Sequence, residues 1–183
     1  MTAPADPPQD RGPDGPAAAP GQEAFRQAVG QFVTGITVVA TATGGVTHAM
    51  TVSSFTSVSL DPLLILVCVD RAARLHDAVI SAGTWAVSIL SEEHEPTARW
   101  LATKGRPLDT SLNGHPHHPG PVTGHPILDD ALASLECRTY AVHPGGDHTI
   151  LVGQVLSVTG PGSGDVPGPL LYHAGRYRRL PAR

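Results

Sequence analysis

Between residues 51 and 59 six side chains carry hydroxyls, Thr51, Ser53, Ser54, Thr56, Ser57 and Ser59, nearly alternating with apolar residues. In an extended strand, alternation sends one set of side chains to the core and the other to the opposite face. One short segment can then offer several hydroxyls and backbone amides to a single anionic or heteroaromatic ligand. No catalytic acid or base lies in this stretch. The pattern therefore favours a cradle for a cofactor that brings its own chemistry and asks the protein for shape, hydrogen bonds and electrostatics.

A second candidate is the triplet Gly146-Asp147-His148 between two long apolar segments. A histidine near neutral pH can donate a hydrogen bond or partial charge to a phosphate or carboxamide. The same residues also read as a tight turn followed by the first residue of a strand. Arg71 and Arg74 could grip a phosphate bidentately or simply flank a helix in solvent. His115, His117, His118 and His125 raise a metal site, but prolines and glycines interleave them and no compact carboxylate or cysteine partner joins them, so we expect no metal. Cys68 and Cys137 both fall inside apolar segments and read as small buried hydrophobes rather than a disulfide framework.

Composition narrows the classes. The chain has 183 residues, enough for one real core. Its formal net charge is -4, from 12 basic against 16 acidic residues, which leaves nucleic acid no electrostatic footprint. No apolar run approaches the roughly 20 residues of a membrane helix, and the N-terminus lacks the basic flank and apolar stretch of a secretion signal. A cytoplasmic protein without membrane contact is expected. Residues 1–21, dominated by Pro, Ala, Gly and Asp, hold too little apolar area to offset ordering entropy, so a disordered tail is expected before one domain at 22–183.

These residues need elements to position them. Phe25, Ala28, Val29 and Phe32 suit one face of an amphipathic helix packed over one end of the fold, with Gly35 ending it or opening the first strand. Strands are predicted over 36–43 and 46–52, joined by Gly44-Gly45. Residues 53–60 continue extended until Asp61-Pro62 breaks them. The most apolar run, 63–69, reads as a strand buried on both faces. A helix over 75–81, a strand over 84–90 and a helix over 92–103 follow. Residues 104–126 read as a long irregular loop, and strands return at 131–143, 148–158 and 170–173. Strands outnumber helices and many connections are short, as in an antiparallel barrel.

The order of FRQAVGQFVTGITVV, HAMTVSSFTSVSLDPLLILVCV, GTWAVSIL, ILDDALASLECRTYAVHPGGDHTILVGQV and PLLYHAGRYRRL resembles the short-chain flavin reductases that partner two-component monooxygenases, from about Phe25 to Leu180. The resemblance implies a mainly β fold, the FMN-binding split barrel, an antiparallel Greek-key barrel with a few short flanking helices. It also implies a homodimer with the flavin where two subunits meet. The activity implied is hydride transfer from NADH, or NADPH, to free FMN or FAD, with the reduced flavin passed transiently to a flavin-dependent monooxygenase. By the same resemblance Thr51, Val52, Ser53 and Ser54 run along the flavin ring, Thr34, Gly35 and Thr37 approach it, and Ser57 serves the ribityl and phosphate parts. Met50, Cys68 and Arg74 join the cofactor-binding set. Gly146, Asp147 and His148 lie beside the nicotinamide with His148 as the catalytic residue, and Tyr172 and Tyr177 line the dinucleotide pocket. Val52-Ser53-Ser54 stands where the family commonly has an Ala-Asn-Ser type sequence, which leaves FMN and FAD both open. The competing reading is a split-barrel flavoprotein that retains its flavin as an oxidase or binding module; a barrel holding another cofactor such as haem is more distant.

Overall fold

The computed structural model describes residues 19–107, 112, 114–160 and 167–181. The expected tail therefore lies outside the described residues except for 19–21, which are exposed. Helix α1 (Gln22–Val29) leads to a two-residue strand β1 (Thr34–Gly35). Strands β2 (Thr37–Thr43) and β3 (Val46–Val52) form the expected hairpin, in which Gly44 and Gly45 adopt φ of 58° and 76°. That left-handed pair matches the twist of a two-residue hairpin turn. β4 (Thr56–Leu60) and β5 (Leu63–Asp70) form the next hairpin, turning at Asp61-Pro62.

Helix α2 (Arg74–Ala82), strand β6 (Thr84–Ile89), a 3₁₀ turn (Glu92–His94) and helix α3 (Glu95–Ala102) follow. Short strands β7 (His117–Pro119) and β8 (Pro126–Leu128) pair with each other, so the segment read as an irregular loop is partly ordered into a ribbon. Prolines and histidines hid it, because neither residue type signals a strand. β9 (Ala133–Gly145) and β10 (His148–Thr159) make the longest hairpin, and β11 (Leu171–His173) and β12 (Arg176–Arg178) close the described chain.

Seven strands form one antiparallel sheet in the order β3-β2-β6-β9-β10-β5-β4. Its inner face encloses Val39, Val52, Val67, Trp85, Cys137 and Leu151, and α2 plugs one end with Leu75 and Val79. The sheet curls until the chain just beyond β3 meets β5. There the Ser54 hydroxyl accepts from the Cys68 N–H at 2.8 Å and donates to the Cys68 carbonyl at 3.2 Å. The architecture is the antiparallel split barrel that the sequence implies. No described helix is long and apolar enough to cross a membrane.

A second core lies outside the sheet under α3, where Val38 and Ala40 of β2 meet Ala98, Leu101, Leu128 and Leu170. β2 thus has apolar cores on both faces, and five consecutive residues are buried. The strand expected to be buried on both faces, β5, is not: Ile65, Val67 and Val69 are buried, while Leu64, Leu66, Cys68 and Asp70 are only partly covered. Hydrophobicity alone misled here, because an apolar outer face does not fix what lies against it. Cys68 is accordingly half-buried, whereas Cys137 is fully buried. Helix α1 also departs from expectation. It buries no residue, and Phe25, Val29 and Phe32 are 60%, 50% and 76% exposed.

Candidate functional site

A cavity of about 470 Å³ opens where β3, the start of α2 and the end of α3 converge. Met50 and Thr51 of β3 and Arg74 of α2 line it, so three of the sequence-derived residues meet. Three other cavity residues, His48, Lys104 and Arg106, were not singled out from sequence. For the last two, the signal in the sequence is a pair of basic residues flanking a glycine just past a helix, Lys104-Gly105-Arg106.

β3 is an edge strand of the sheet, and its free side carries unpaired backbone groups. Arg106 covers part of that edge. Its guanidinium donates to the carbonyls of Ala49, Leu101 (3.0 Å) and Thr103 (3.2 Å), and the Arg74 guanidinium donates to the Arg106 carbonyl. Alternation along an antiparallel edge aims the N–H and C=O of Thr51 the same way as those of Ala49, toward the cavity. The Thr51 hydroxyl is engaged elsewhere, donating to the Ala98 carbonyl at 2.8 Å.

The cavity is electropositive. Arg74, Lys104 and Arg106 face one carboxylate, Asp70. Burial and then the charge of Arg74 lower the pKa of both Arg106 and His48, which disfavours the charged form of His48. His48 Nδ1 and Arg106 Nε are buried with no hydrogen-bond partner among the described residues. The N-terminus of α2, which no side chain caps, adds the partial positive charge of its first-turn N–H groups. An anion about 4 Å from one such cation gains on the order of 4 kcal/mol at an effective dielectric of about 20, before desolvation.

His148 is not among the residues that line this cavity, but it neighbours one that does. It stands opposite Asp70 in the β10–β5 register, and the Arg71 N–H donates to the Asp147 carbonyl at 3.0 Å. Gly146 turns the hairpin at φ 72°. His148 Nδ1 donates to the exposed Asp147 carboxylate at 2.8 Å, a bond that holds Asp147 below the usual carboxylate range.

The remaining sequence-derived residues are dispersed. Thr34 and Gly35 pair with Tyr172 and Leu171 in a separate three-stranded sheet, β1-β11-β12. Tyr172 and Tyr177 pack edge to face there at 5.4 Å, with Arg99 of α3 stacked 4.8 Å over Tyr177. Thr37 is buried and donates to the Val52 carbonyl at 2.9 Å, and Val52 is core. Ser54 and Cys68 meet at the closure of the sheet, while Ser53 and Ser57 are exposed beyond the cavity lining.

The histidine group diverges as well. His115 bonds Thr97, His117 donates to the His115 carbonyl, and His118 donates to Asp129. His125 is buried and accepts the Ala42 N–H at Nδ1, so its Nε2–H donates to the Thr84 hydroxyl. Burial keeps its pKa below the ordinary value despite the opposing charge of Glu136.

Residues 29–181 match the family model described as "Flavin reductase like domain". The chain is 38% identical over 173 residues to the NADH-dependent FMN reductase AsuE2 of Streptomyces nodosus subsp. asukaensis, covering 94% of this chain and 89% of that one. It is 39% identical over 159 residues to the reductase component of 4-hydroxyphenylacetate 3-monooxygenase of Thermus thermophilus, covering 87% and 97%. The structure of the Streptomyces globisporus NADH:FAD oxidoreductase SgcE6, in complex with NAD and FAD fragments, superposes with a TM-score of 0.80 at 35% identity, over 87% of this chain and 93% of that one.

Proposed function

The chain belongs to the flavin reductase like family, and from that premise we propose that it is an NADH-dependent flavin reductase. It transfers a hydride from the nicotinamide to free FMN or FAD and supplies the reduced flavin to a separate monooxygenase. The observation that carries the reading is the cation-lined cavity on the free edge of β3, with the Gly146-Asp147-His148 turn beside it.

The residues present fit a flavin. Three cations, Arg74, Lys104 and Arg106, line the cavity with one carboxylate, Asp70, a donor set suited to an anionic phosphate. Arg74, Lys104, Arg106 and the start of α2 bind the phosphate of FMN or FAD. The outward N–H and C=O of Thr51 hold the edge of the ring, and Met50 provides apolar contact beside it. When bound, the flavin ring is the hydride acceptor, which is why the protein needs no nucleophile. His148 serves the dinucleotide as a hydrogen-bond donor, kept oriented by Asp147.

The reading extends to the assembly. The protein is a homodimer in which a second copy covers the exposed apolar residues and completes the flavin site, and Tyr172 and Tyr177 line the dinucleotide pocket. It works in the cytoplasm and meets its oxygenase only through diffusing reduced flavin. Residues 1–21 are dispensable for turnover.

The test mixes purified protein with NADH and follows the nicotinamide absorbance with and without added FMN or FAD. Oxidation that rises with flavin, from protein that elutes colourless from gel filtration, is expected. Oxidation indifferent to added flavin by a yellow protein would favour a retained flavin instead.

A further inference from the structure

His76, in the first turn of α2, makes two bonds that no part of the hydride-transfer chemistry calls for. Its Nδ1 lies 2.7 Å from Asp77 Oδ1 and its Nε2 lies 2.8 Å from Thr149 Oγ1. The Asp77 carboxylate only accepts, so Nδ1 carries a proton, and in the neutral imidazole Nε2 then accepts from the Thr149 hydroxyl. The two contacts differ in weight. Asp77 is 98% exposed, where a charged pair contributes little, whereas Thr149 is 7% exposed and lies on the inward face of β10 directly after His148.

The tip of the β9–β10 hairpin needs such a tie. Residues 142–147 are all exposed, so little apolar packing fixes the turn that carries His148. Beyond the β10–β5 pairing that begins at His148 and Asp70, two bonds attach it to the segment that begins α2: the Arg71 N–H to the Asp147 carbonyl, and Thr149 to His76. Asp70, Ala72, Ala73, Arg74 and Leu75, the chain neighbours of Arg71 and His76, line the cavity. The hairpin tip and the cavity wall therefore form one braced unit.

We propose that His76 is a positioning residue for hydride transfer, which fixes His148 against the cavity by holding Thr149. The inference rests on the reading that His148 serves the dinucleotide. It assigns to His76 no contact with either substrate. Loss of the brace loosens the nicotinamide side while sparing the cation wall, because the side-chain hydrogen bonds of Arg74 and Arg106 run to the carbonyls of Arg106, Ala49, Leu101 and Thr103 and not to the hairpin.

The experiment measures steady-state NADH oxidation by the full chain with FMN as acceptor, together with flavin affinity, for His76→Ala, His76→Gln, Thr149→Val, Asp77→Asn, His148→Ala and the double variant His76→Ala/His148→Ala. His76→Ala and the near-isosteric Thr149→Val are expected to raise the KM for NADH by about 2- to 10-fold, the span of one lost hydrogen bond of ordinary strength. Flavin affinity should stay constant. His76→Gln, whose amide reaches the position of Nε2, should restore most of the loss, and Asp77→Asn should behave as the parent. The double variant should be no worse than His148→Ala, because His76 acts through His148. Full additivity, a parallel loss of flavin affinity, or failure of Gln to restore would overturn the proposal. If His148→Ala raises the KM and His76→Ala does not, only the role of His76 falls; if His148→Ala changes nothing, the assignment of His148 to the dinucleotide falls and takes this proposal with it.

Discussion

Arg106 carries a charge that three neutral carbonyls hold, and among the described residues it makes no ion pair with a carboxylate. Such a group favours an anionic ligand, and it separates flavins that carry phosphate from those that do not. Arg106→Met is expected to weaken FMN binding by about 10- to 100-fold, the scale of one charge-assisted hydrogen bond, while riboflavin binding changes far less. Fluorescence titration with both flavins checks it; equal losses would make Arg106 a brace for β3 rather than a phosphate ligand. Cys137 shows the opposite use of burial. Desolvation and then the charge of Glu136 push its thiol up from 9.0 to about 12. The folded state thus keeps a proton that the unfolded chain has lost, so between those values stability falls as pH rises, on the order of 1.4 kcal/mol per pH unit. In urea unfolding at pH 9 to 11, Cys137→Ala should show a shallower loss with pH than the parent. Below about pH 9 this difference in slope should vanish.

At the scale of elements, closure of the sheet depends on one hydroxyl. Ser54 supplies both an acceptor and a donor to Cys68 where β3 and β5 would otherwise meet without a ladder. Ser54→Ala should destabilise the protein by about 1–3 kcal/mol, because it leaves two backbone groups of β5 unsatisfied in a partly buried setting. A second contact fixes how tightly β10 crosses β6. A methyl group at Gly153 would sit 2.4 Å from the Trp85 ring, which is itself fully buried and donates its indole N–H to Thr139 at 3.2 Å. Gly153→Ala should lower stability by about 1–3 kcal/mol through overpacking. Urea midpoints measure both variants, and a change below about 0.5 kcal/mol in either would show that the sheet relaxes around the site.

At the scale of the molecule, apolar side chains remain exposed at separate places: Phe25, Val29 and Phe32 on and after α1, and Leu60 and Leu63 at the β4–β5 turn, where Leu60 is 84% exposed. Soluble monomers seldom leave such clusters uncovered. We expect a dimer in sedimentation at micromolar concentration, and Phe32→Asp combined with Leu60→Asp should shift it toward monomer and lower turnover. An active monomer of the parent chain would refute the dimeric site.

Local chemistry made much of this protein legible without its structure. Period-2 alternation and the Gly44-Gly45 turn defined the β2–β3 hairpin, Asp61-Pro62 marked the next one, and the order of motifs implied the split barrel, because each of these signals is carried by neighbours in the chain. Alternation could not say what lies against an apolar face. Only the folded chain decided that β2, not β5, has a core on each side, and that α1 buries none of its own residues. The hydroxyl run was visible, yet folding turned Ser54, Thr51 and Thr37 toward backbone carbonyls, while the charges lining the cavity came from residues as distant as Asp70, Arg74, Lys104 and Arg106. Sequence spacing carries no sign of that convergence, which arises when an edge strand, a helix start and a helix end are brought to one place by the curl of the sheet.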